Sequence, residues 1–149
     1  MRINFSKAAA AGIIATLVMT AIGLWAAPMM GIPSMNPAVM LAGAMGGNIL
    51  LGWAAHLMIG TILAVGYAVI APWIPGPLAL RGALYGIAPF LAAQFVVMPM
   101  MGMPVLSGSA ALAMGSLIGH LAYGAVLALV YGPVPTRDIT APRHAAAVR

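Results

Sequence analysis

The sequence contains no cysteine and a single carboxylate side chain, Asp138, among its 149 residues. Without cysteine, the chain forms no disulfide, thiolate nucleophile or thiolate metal site. With one carboxylate, it offers no paired-carboxylate catalysis, di-iron cluster or oxygen-rich cation site. Charged residues make up only 5% of the chain, whereas soluble domains carry about 25%. Water is therefore not the main solvent of this protein.

Hydrophobic residues take the place of the missing charges. They make up 64% of the chain, and the mean hydropathy is +1.09. A helix needs roughly 20 apolar residues to cross the hydrocarbon core of a bilayer. Four stretches without charge predict helices over residues 8–27, 38–71, 82–98 and 110–131. The predicted fold is all-α, an integral membrane four-helix bundle that forms one domain over residues 1–132, followed by a flexible basic tail over residues 133–149.

The basic residues all fall on one side of the predicted membrane. Arg2 and Lys7 precede the first span, Arg81 lies between the second and third, and three arginines follow the fourth. The positive-inside rule then predicts that both termini are cytoplasmic and that the protein crosses a bacterial inner membrane. Because these charges form no patch, we expect the lipid bilayer, other membrane subunits or further copies of the chain as partners, and not nucleic acid.

Two segments of the sequence occur twice. Residues 28–33, Pro-Met-Met-Gly-Ile-Pro, return as Pro-Met-Met-Gly-Met-Pro at residues 99–104, and the residues that follow His56 return at the same spacings after His120. These matches predict two tandem αα-hairpin repeats, residues 8–71 and 82–132, with a parallel pseudo-two-fold axis along the membrane normal. The first copy has seven more residues than the second between its loop and its histidine. Because seven residues are about two helical turns, we expect His56 to lie on the same helix face as it would without them. Both histidines are then expected at the same depth.

At these residues the chain resembles DUF6789, a family of small bacterial membrane proteins of unknown function. The resemblance covers nearly the whole chain up to Gly132, and the matching residues are Pro28-Met29-Met30-Gly31, Gly52-Trp53, His56, Gly60, Met98-Pro99-Met100, His120, Tyr123-Gly124-Ala125-Val126-Leu127 and Tyr131-Gly132. It implies a four-helix membrane fold and no particular activity. A function has to be inferred from the residues themselves.

Each histidine lies between small residues one helical turn away. The neighbours are Gly52 and Gly60 for His56, and Ser116 and Gly124 for His120. Ionisable side chains within a bilayer usually face the bundle interior and are functional candidates. Small neighbours would leave a flat recess for a porphyrin, so the leading hypothesis is a haem b whose iron is ligated by His56 and His120, in an electron-transfer or sensing bundle.

Two other interpretations of the histidines stay open. A chlorophyll-type pigment would fit the same recess. Alternatively, no cofactor is bound, the small residues let the helices pack closely, and each histidine makes a hydrogen bond between helices. Thr16, Thr20, Asn48 and Gln94 are polar residues within the spans that could orient the imidazoles.

Methionines are concentrated in the two outer loops. Thioethers select Cu(I), which makes copper binding or transfer a second hypothesis, with Met29, Met30, Met98, Met100, Met101 and Met103 as ligands. Met35 lies in the same cluster. The competing interpretation is that methionine is only an adaptable apolar filler.

The remaining function classes follow from what the spans lack. A short bundle without extramembrane domains suits an accessory or structural subunit of a larger membrane complex, without a cofactor. Transport of a neutral solute also stays open. An enzyme is not expected, because two histidines and a few tyrosines are the only acid–base groups in the spans.

Overall fold

The computed structural model describes residues 3–134, and within this range the chain is helical, without β-strands. Four helices are long and apolar enough to cross a membrane: α1 (Phe5–Met29), α3 (Ile49–Trp73), α4 (Leu78–Met100) and α5 (Ala110–Tyr131). A short helix, α2 (Pro37–Ala44), precedes α3. The predicted all-α fold with four apolar spans is confirmed, and α5 has the predicted bounds. Apart from residues 133 and 134, the predicted basic tail lies outside the described residues.

The helix predicted over residues 38–71 is instead two helices, and this prediction was wrong. Gly46 and Gly47 have φ angles of 67° and 82°, which end α2 in a turn. The side chain of Asn48 then accepts hydrogen bonds from the backbone N–H groups of Leu50 and Leu51 at 3.0 and 3.2 Å. Asn48 is therefore the N-cap of α3. The residues between the first loop and His56 therefore do not form one continuous helix.

The start of α1, the turn between α3 and α4, and the end of α5 meet at one end of the bundle. The Lys7 ammonium lies 6.0 Å from the centre of the Tyr131 ring. The Arg81 guanidinium donates hydrogen bonds to the carbonyl oxygens of Val134, at 2.9 Å, and Gly76, at 3.3 Å. We call this end the basic end. The loops of residues 30–36 and 101–109 lie at the opposite end, the methionine end.

Glycines set how closely the helices approach. α1 packs against α3 and α5, and α4 packs against α5, whereas the backbones of α3 and α4 come close at few points. A Cβ atom added at Gly124 would collide with the carbonyl oxygen of Gly82 on α4, and one at Gly12 of α1 would lie 2.8 Å from the carbonyl oxygen of Gly60 on α3. Backbone-to-backbone approach at small residues is a common way for helices to associate in lipid.

Tyrosines fill the half of the bundle nearest the basic end. Tyr67 is fully buried, and its ring meets those of Tyr85 and Tyr131 edge-on at 5.4 and 6.2 Å. The Tyr85 hydroxyl donates to the Leu63 carbonyl oxygen at 2.7 Å and joins α4 to α3. The Tyr123 hydroxyl donates to the Gly60 carbonyl oxygen at 2.6 Å and joins α5 to α3. This half of the bundle is therefore closed.

Candidate functional site, a cavity lined by two histidines

In the half of the bundle nearest the methionine end, the first and third spans, α1 and α4, each contain a π-helical turn. These turns are Ile22–Ala26 in α1 and Ala93–Val97 in α4, and each lies shortly before a proline, Pro28 or Pro99. A π-helical turn holds one extra residue, and it is frequently found at functional sites. Because proline donates no backbone hydrogen bond, the helix loosens there at little further cost.

The loop that follows each π-helical turn has the same backbone hydrogen bonds. Gly31 and Gly102 have φ angles of 75° and 74°. The N–H groups of Ile32 and Met103 reach back to the carbonyl oxygens of Ala27 and Met98, at 3.1 and 2.9 Å. The two Pro-Met-Met-Gly segments thus fold alike, since both need a residue that tolerates a positive φ at the fourth position.

A cavity of about 220 Å³ lies between the four long helices in this half of the bundle. His56 and His120 both line it, so the structure brings the two predicted histidines together at one site. The wall is otherwise mostly apolar, with a few polar residues. The lining residues are Thr16, Met19, Gly23, Met35, Pro37, Met40, Leu41, His56, Ile59, Gly60, Leu63, Pro89, Ala92, Ala93, Gln94, Val97, Met98, Met101, Ser107, Gly115, Ser116, Gly119, His120 and Tyr123.

Exposed residues line the cavity on α3 and α4, two helices whose backbones come close at few points. Ile59 on α3 and Ala92 on α4 line the cavity and are also exposed, Ile59 by 40%. Both residues lie near the middle of helices long enough to span the bilayer. An opening between these two residues would lie at the depth of the hydrocarbon core.

His56 is held by a threonine of the neighbouring helix. Its Nε2 lies 3.0 Å from the Thr20 hydroxyl oxygen, and that hydroxyl also lies 2.9 Å from the backbone carbonyl oxygen of Thr16. The ring is 7% exposed and contacts Trp53, with 6.3 Å between ring centres. Of the four polar residues predicted to orient the imidazoles, Thr20 makes this direct contact, whereas the Thr16 hydroxyl donates to the Gly12 carbonyl oxygen at 2.7 Å.

His120 is held by its own helix and by a polar chain that includes α4. Its Nδ1 lies 2.8 Å from the Ser116 carbonyl oxygen and 3.4 Å from the Ser116 hydroxyl. That hydroxyl accepts a hydrogen bond from the Gln94 amide at 2.9 Å, and the Ser107 hydroxyl donates to the Gln94 carbonyl oxygen at 3.0 Å. Gln94 therefore acts on His120 through Ser116. Asn48, the remaining polar candidate, caps α3 instead.

Ser107 is a site residue that the sequence analysis missed. It has a φ of 57°, and its neighbour Leu106 has a φ of 54°, a backbone region that non-glycine residues rarely occupy. Strained backbone of this kind is often found at functional sites. The sequence gives no sign of it, because serine and leucine have no preference for this conformation.

Of the predicted small residues, Gly60 and Ser116 line the cavity, whereas Gly52 and Gly124 do not. A Cβ added at Gly52 would collide with the Ala38 carbonyl oxygen of α2, and one at Gly124 would collide with Gly82. At these two positions the small residue allows close helix packing. It does not leave a free recess beside the imidazole.

The predicted copper ligands are divided between the cavity and the outside of the bundle. Met98 and Met101 line the cavity, together with three further methionines, Met19, Met35 and Met40. The others lie outside it, and Met29, Met30 and Met100 are 88%, 55% and 81% exposed, while Met103 is half-buried. Within residues 3–134, no three His, Asp or Glu side chains are grouped closely enough to hold a metal ion. A metal in the cavity would therefore depend on imidazole and thioether ligands.

Comparison with known proteins identifies a family but no characterised relative. Neither a curated protein nor a solved structure matches the chain. The family model described as "Family of unknown function (DUF6789)" matches residues 3–141, which includes all four spans and both cavity histidines. The protein therefore belongs to the DUF6789 family.

Proposed function

We propose that this protein binds a small lipophilic molecule, which enters from the bilayer and places its polar group between His56 and His120. The observation that carries the proposal is that His56 and His120 line one cavity whose lining residues Ile59 and Ala92 are exposed near the middle of α3 and α4. We place the mouth of the cavity between these two residues. Binding sites are typically apolar cavities with a few convergent polar groups. Close packing for stability alone does not require such a space beside the two histidines within the spans.

A photoreactive fatty alcohol that carries a diazirine tests this proposal in nanodiscs. Any lipophile labels the lipid-facing surface, so the informative product is labelling of His120 and Tyr123, which lie inside the bundle. We expect Ala92→Trp to close the mouth and to reduce labelling of these two residues about tenfold. Leu91→Trp is the matched control, because Leu91 is 47% exposed on the same helix and does not line the cavity. Absence of interior labelling in the wild type, or equal labelling in both variants, would contradict the proposal.

Haem b between the two histidines remains a prediction, and the described cavity does not fit it. Pockets for drug-sized ligands have volumes of roughly 300–1,000 Å³, and a haem needs more than the 220 Å³ found here. Thr20 engages the Nε2 of His56, and neither Arg81 nor Lys7 lines the cavity to meet the propionates. A Soret band at one haem per chain that is lost in His56→Ala would revive the haem hypothesis.

Copper handling, a pigment and a purely structural role in a larger complex or homo-oligomer also remain predictions. The observation that favours copper is that two of the predicted ligands, Met98 and Met101, line the same cavity as the histidines. Cu(I) added under reducing conditions should then raise the melting temperature in detergent, and Met98→Leu with Met101→Leu should abolish the rise. The exposed pair Met29→Leu with Met100→Leu is the matched control.

We also infer that the basic end faces the cytoplasm of a bacterial inner membrane and that the two hairpins are tandem repeats. Lys7 and Arg81 lie at this end, as the positive-inside rule requires. The matching π-helical turns and loops support the repeat. Since the chain has no cysteine, single cysteines report its orientation cleanly. In whole cells, an impermeant maleimide should label Met30→Cys and leave Ser6→Cys unlabelled, and the reverse pattern would contradict this orientation.

A further inference from the structure

Some polar groups that line the cavity already have a hydrogen-bond partner in the protein, and others do not. The hydroxyl of Ser107 and the amide of Gln94 are engaged with each other and with Ser116, and the Tyr123 hydroxyl donates to Gly60. Within the described part of the chain, these groups are therefore already hydrogen-bonded to protein partners. What remains for a ligand is the second ring nitrogen of each histidine and the hydroxyl proton of Ser116, whose oxygen accepts from Gln94.

On His120 the free nitrogen is a hydrogen-bond acceptor. Nδ1 faces the Ser116 carbonyl oxygen at 2.8 Å, and a carbonyl oxygen only accepts hydrogen bonds, so Nδ1 carries the proton of the neutral ring. Nε2 therefore carries a lone pair. Among residues 3–134 it makes no hydrogen bond, and the ring lines the cavity. A backbone carbonyl at Nδ1 is a common way to fix the tautomer and orientation of a functional histidine.

On His56 the same reasoning leaves Nδ1 as the acceptor. The Thr20 hydroxyl has one proton, which it donates to the carbonyl oxygen of Thr16 at 2.9 Å. The hydroxyl oxygen is then the acceptor for the Nε2–H of His56 at 3.0 Å. Nδ1 is left with a lone pair and with no hydrogen bond from the described residues. The two histidines that line the cavity thus carry one unengaged acceptor nitrogen each, on α3 and α5, and no free imidazole donor.

The size and the mouth of the cavity restrict the ligand further. An apolar cavity of about 150 Å³ accommodates benzene, so 220 Å³ suits one substituted ring. A mouth in the hydrocarbon core suits a ligand whose ring carries an apolar tail. The ring must offer hydroxyl donors, because carbonyl or ether oxygens would face two lone pairs.

From these observations we infer that the cavity binds the hydroquinone headgroup of a lipid-soluble quinol. One hydroxyl donates to Nδ1 of His56 and the other to Nε2 of His120, and the tail leaves between Ile59 and Ala92. This inference rests on the proposed binding of a lipophile and specifies its headgroup. It concerns binding of the reduced form and includes no electron transfer.

Nitrogen-15 NMR of the imidazoles provides the test. The chain has three histidines, and His144→Gln leaves only His56 and His120 to be observed in nanodiscs. The probes are decylubiquinol, its oxidised form decylubiquinone, and the dimethyl ether of decylubiquinol, which share one tail. We expect decylubiquinol to shift the resonance of the unprotonated nitrogen of both rings upfield, as acceptance of a hydrogen bond does, and to bind about tenfold more tightly than the other two probes.

The outcomes separate this inference from the proposal on which it rests. Equal binding of the three probes, or unchanged imidazole resonances with decylubiquinol, would overturn the hydroquinone inference while interior labelling by the fatty alcohol still upheld the binding of a lipophile. Loss of that labelling would overturn both. His120→Phe keeps an aromatic ring and should abolish the preference for decylubiquinol. The three-probe series on the His144→Gln protein gives a decision even where His120→Phe does not fold.

Discussion

The two halves of the bundle are built from the same helices, but one is filled and the other is hollow. Toward the basic end, Gly82 and Gly124 bring α4 and α5 into backbone contact, and tyrosines fill the space that is left. Toward the methionine end, π-helical turns loosen α1 and α4 and leave a cavity of about 220 Å³. The contrast indicates that the basic half holds the bundle together and that the other half is free to bind a ligand.

The largest effect is expected from Gly124→Ala in the filled half. The new Cβ would collide with the Gly82 carbonyl oxygen, which belongs to a helix backbone and has little room to move. We expect the free energy of unfolding to fall by about 3 kcal/mol or more, the upper range for overpacking. Unfolding in mixtures of dodecyl maltoside and SDS measures the change.

Gly119→Ala on the same helix is the control for the hollow half. Its Cβ would lie 3.4 Å from the flexible Met19 side chain, an ordinary van der Waals distance. The variant should unfold like the wild type. If the two alanine variants lost equal stability, the contrast between the halves would be wrong.

A smaller effect is expected from the tyrosine hydroxyls. Tyr123→Phe removes the hydrogen bond to Gly60 that joins α5 to α3, and it should cost about 1 kcal/mol of unfolding free energy. Tyr67→Phe removes a buried hydroxyl that has no hydrogen-bond partner among residues 3–134, so it should be neutral or stabilising. The same detergent titration compares the two. A greater loss for Tyr67→Phe would show that its hydroxyl has a partner in the membrane-embedded protein.

The smallest effect on stability is expected from Thr20→Val in the hollow half. This nearly isosteric change removes the hydrogen bond to His56, and such bonds average about 0.6 kcal/mol in membranes. It should also release Nε2 of His56, which imidazole nitrogen-15 shifts would report.

Thr61→Val is the matched control for Thr20→Val, because the Thr61 hydroxyl donates only to the Leu57 carbonyl oxygen of its own helix. Its histidine resonances should stay unchanged. If Thr20→Val also left the nitrogen-15 resonances of His56 unchanged, Thr20 would not be a hydrogen-bond partner of His56.

The sequence predicted the spans well because a membrane span needs only length and hydropathy. The helix over residues 110–131 was predicted with the bounds that are observed. The same criterion predicted α2 and α3 as one helix, because mean hydropathy does not detect the break at Gly46, Gly47 and Asn48. Attention to the glycines and to the capping preference of Asn48 would have located it.

The sequence also singled out His56 and His120, because an ionisable side chain in an apolar span is unusual whatever the fold. It misjudged the use of their small neighbours. Glycine permits both close packing and an open recess, and only the position of the adjacent helix distinguishes the two. At Gly52 and Gly124 that helix is already in contact.

By itself, the sequence determined that this protein has four helices long and apolar enough to cross a membrane, which basic residues lie outside these spans, and which two histidines lie within them. These properties depend on composition and spacing along a single helix. The tertiary structure alone decided that the two histidines line one cavity, that Ile59 and Ala92 of the same cavity are exposed on α3 and α4, and which nitrogen of each ring is engaged. These properties depend on distances between helices, which one helix's sequence does not encode.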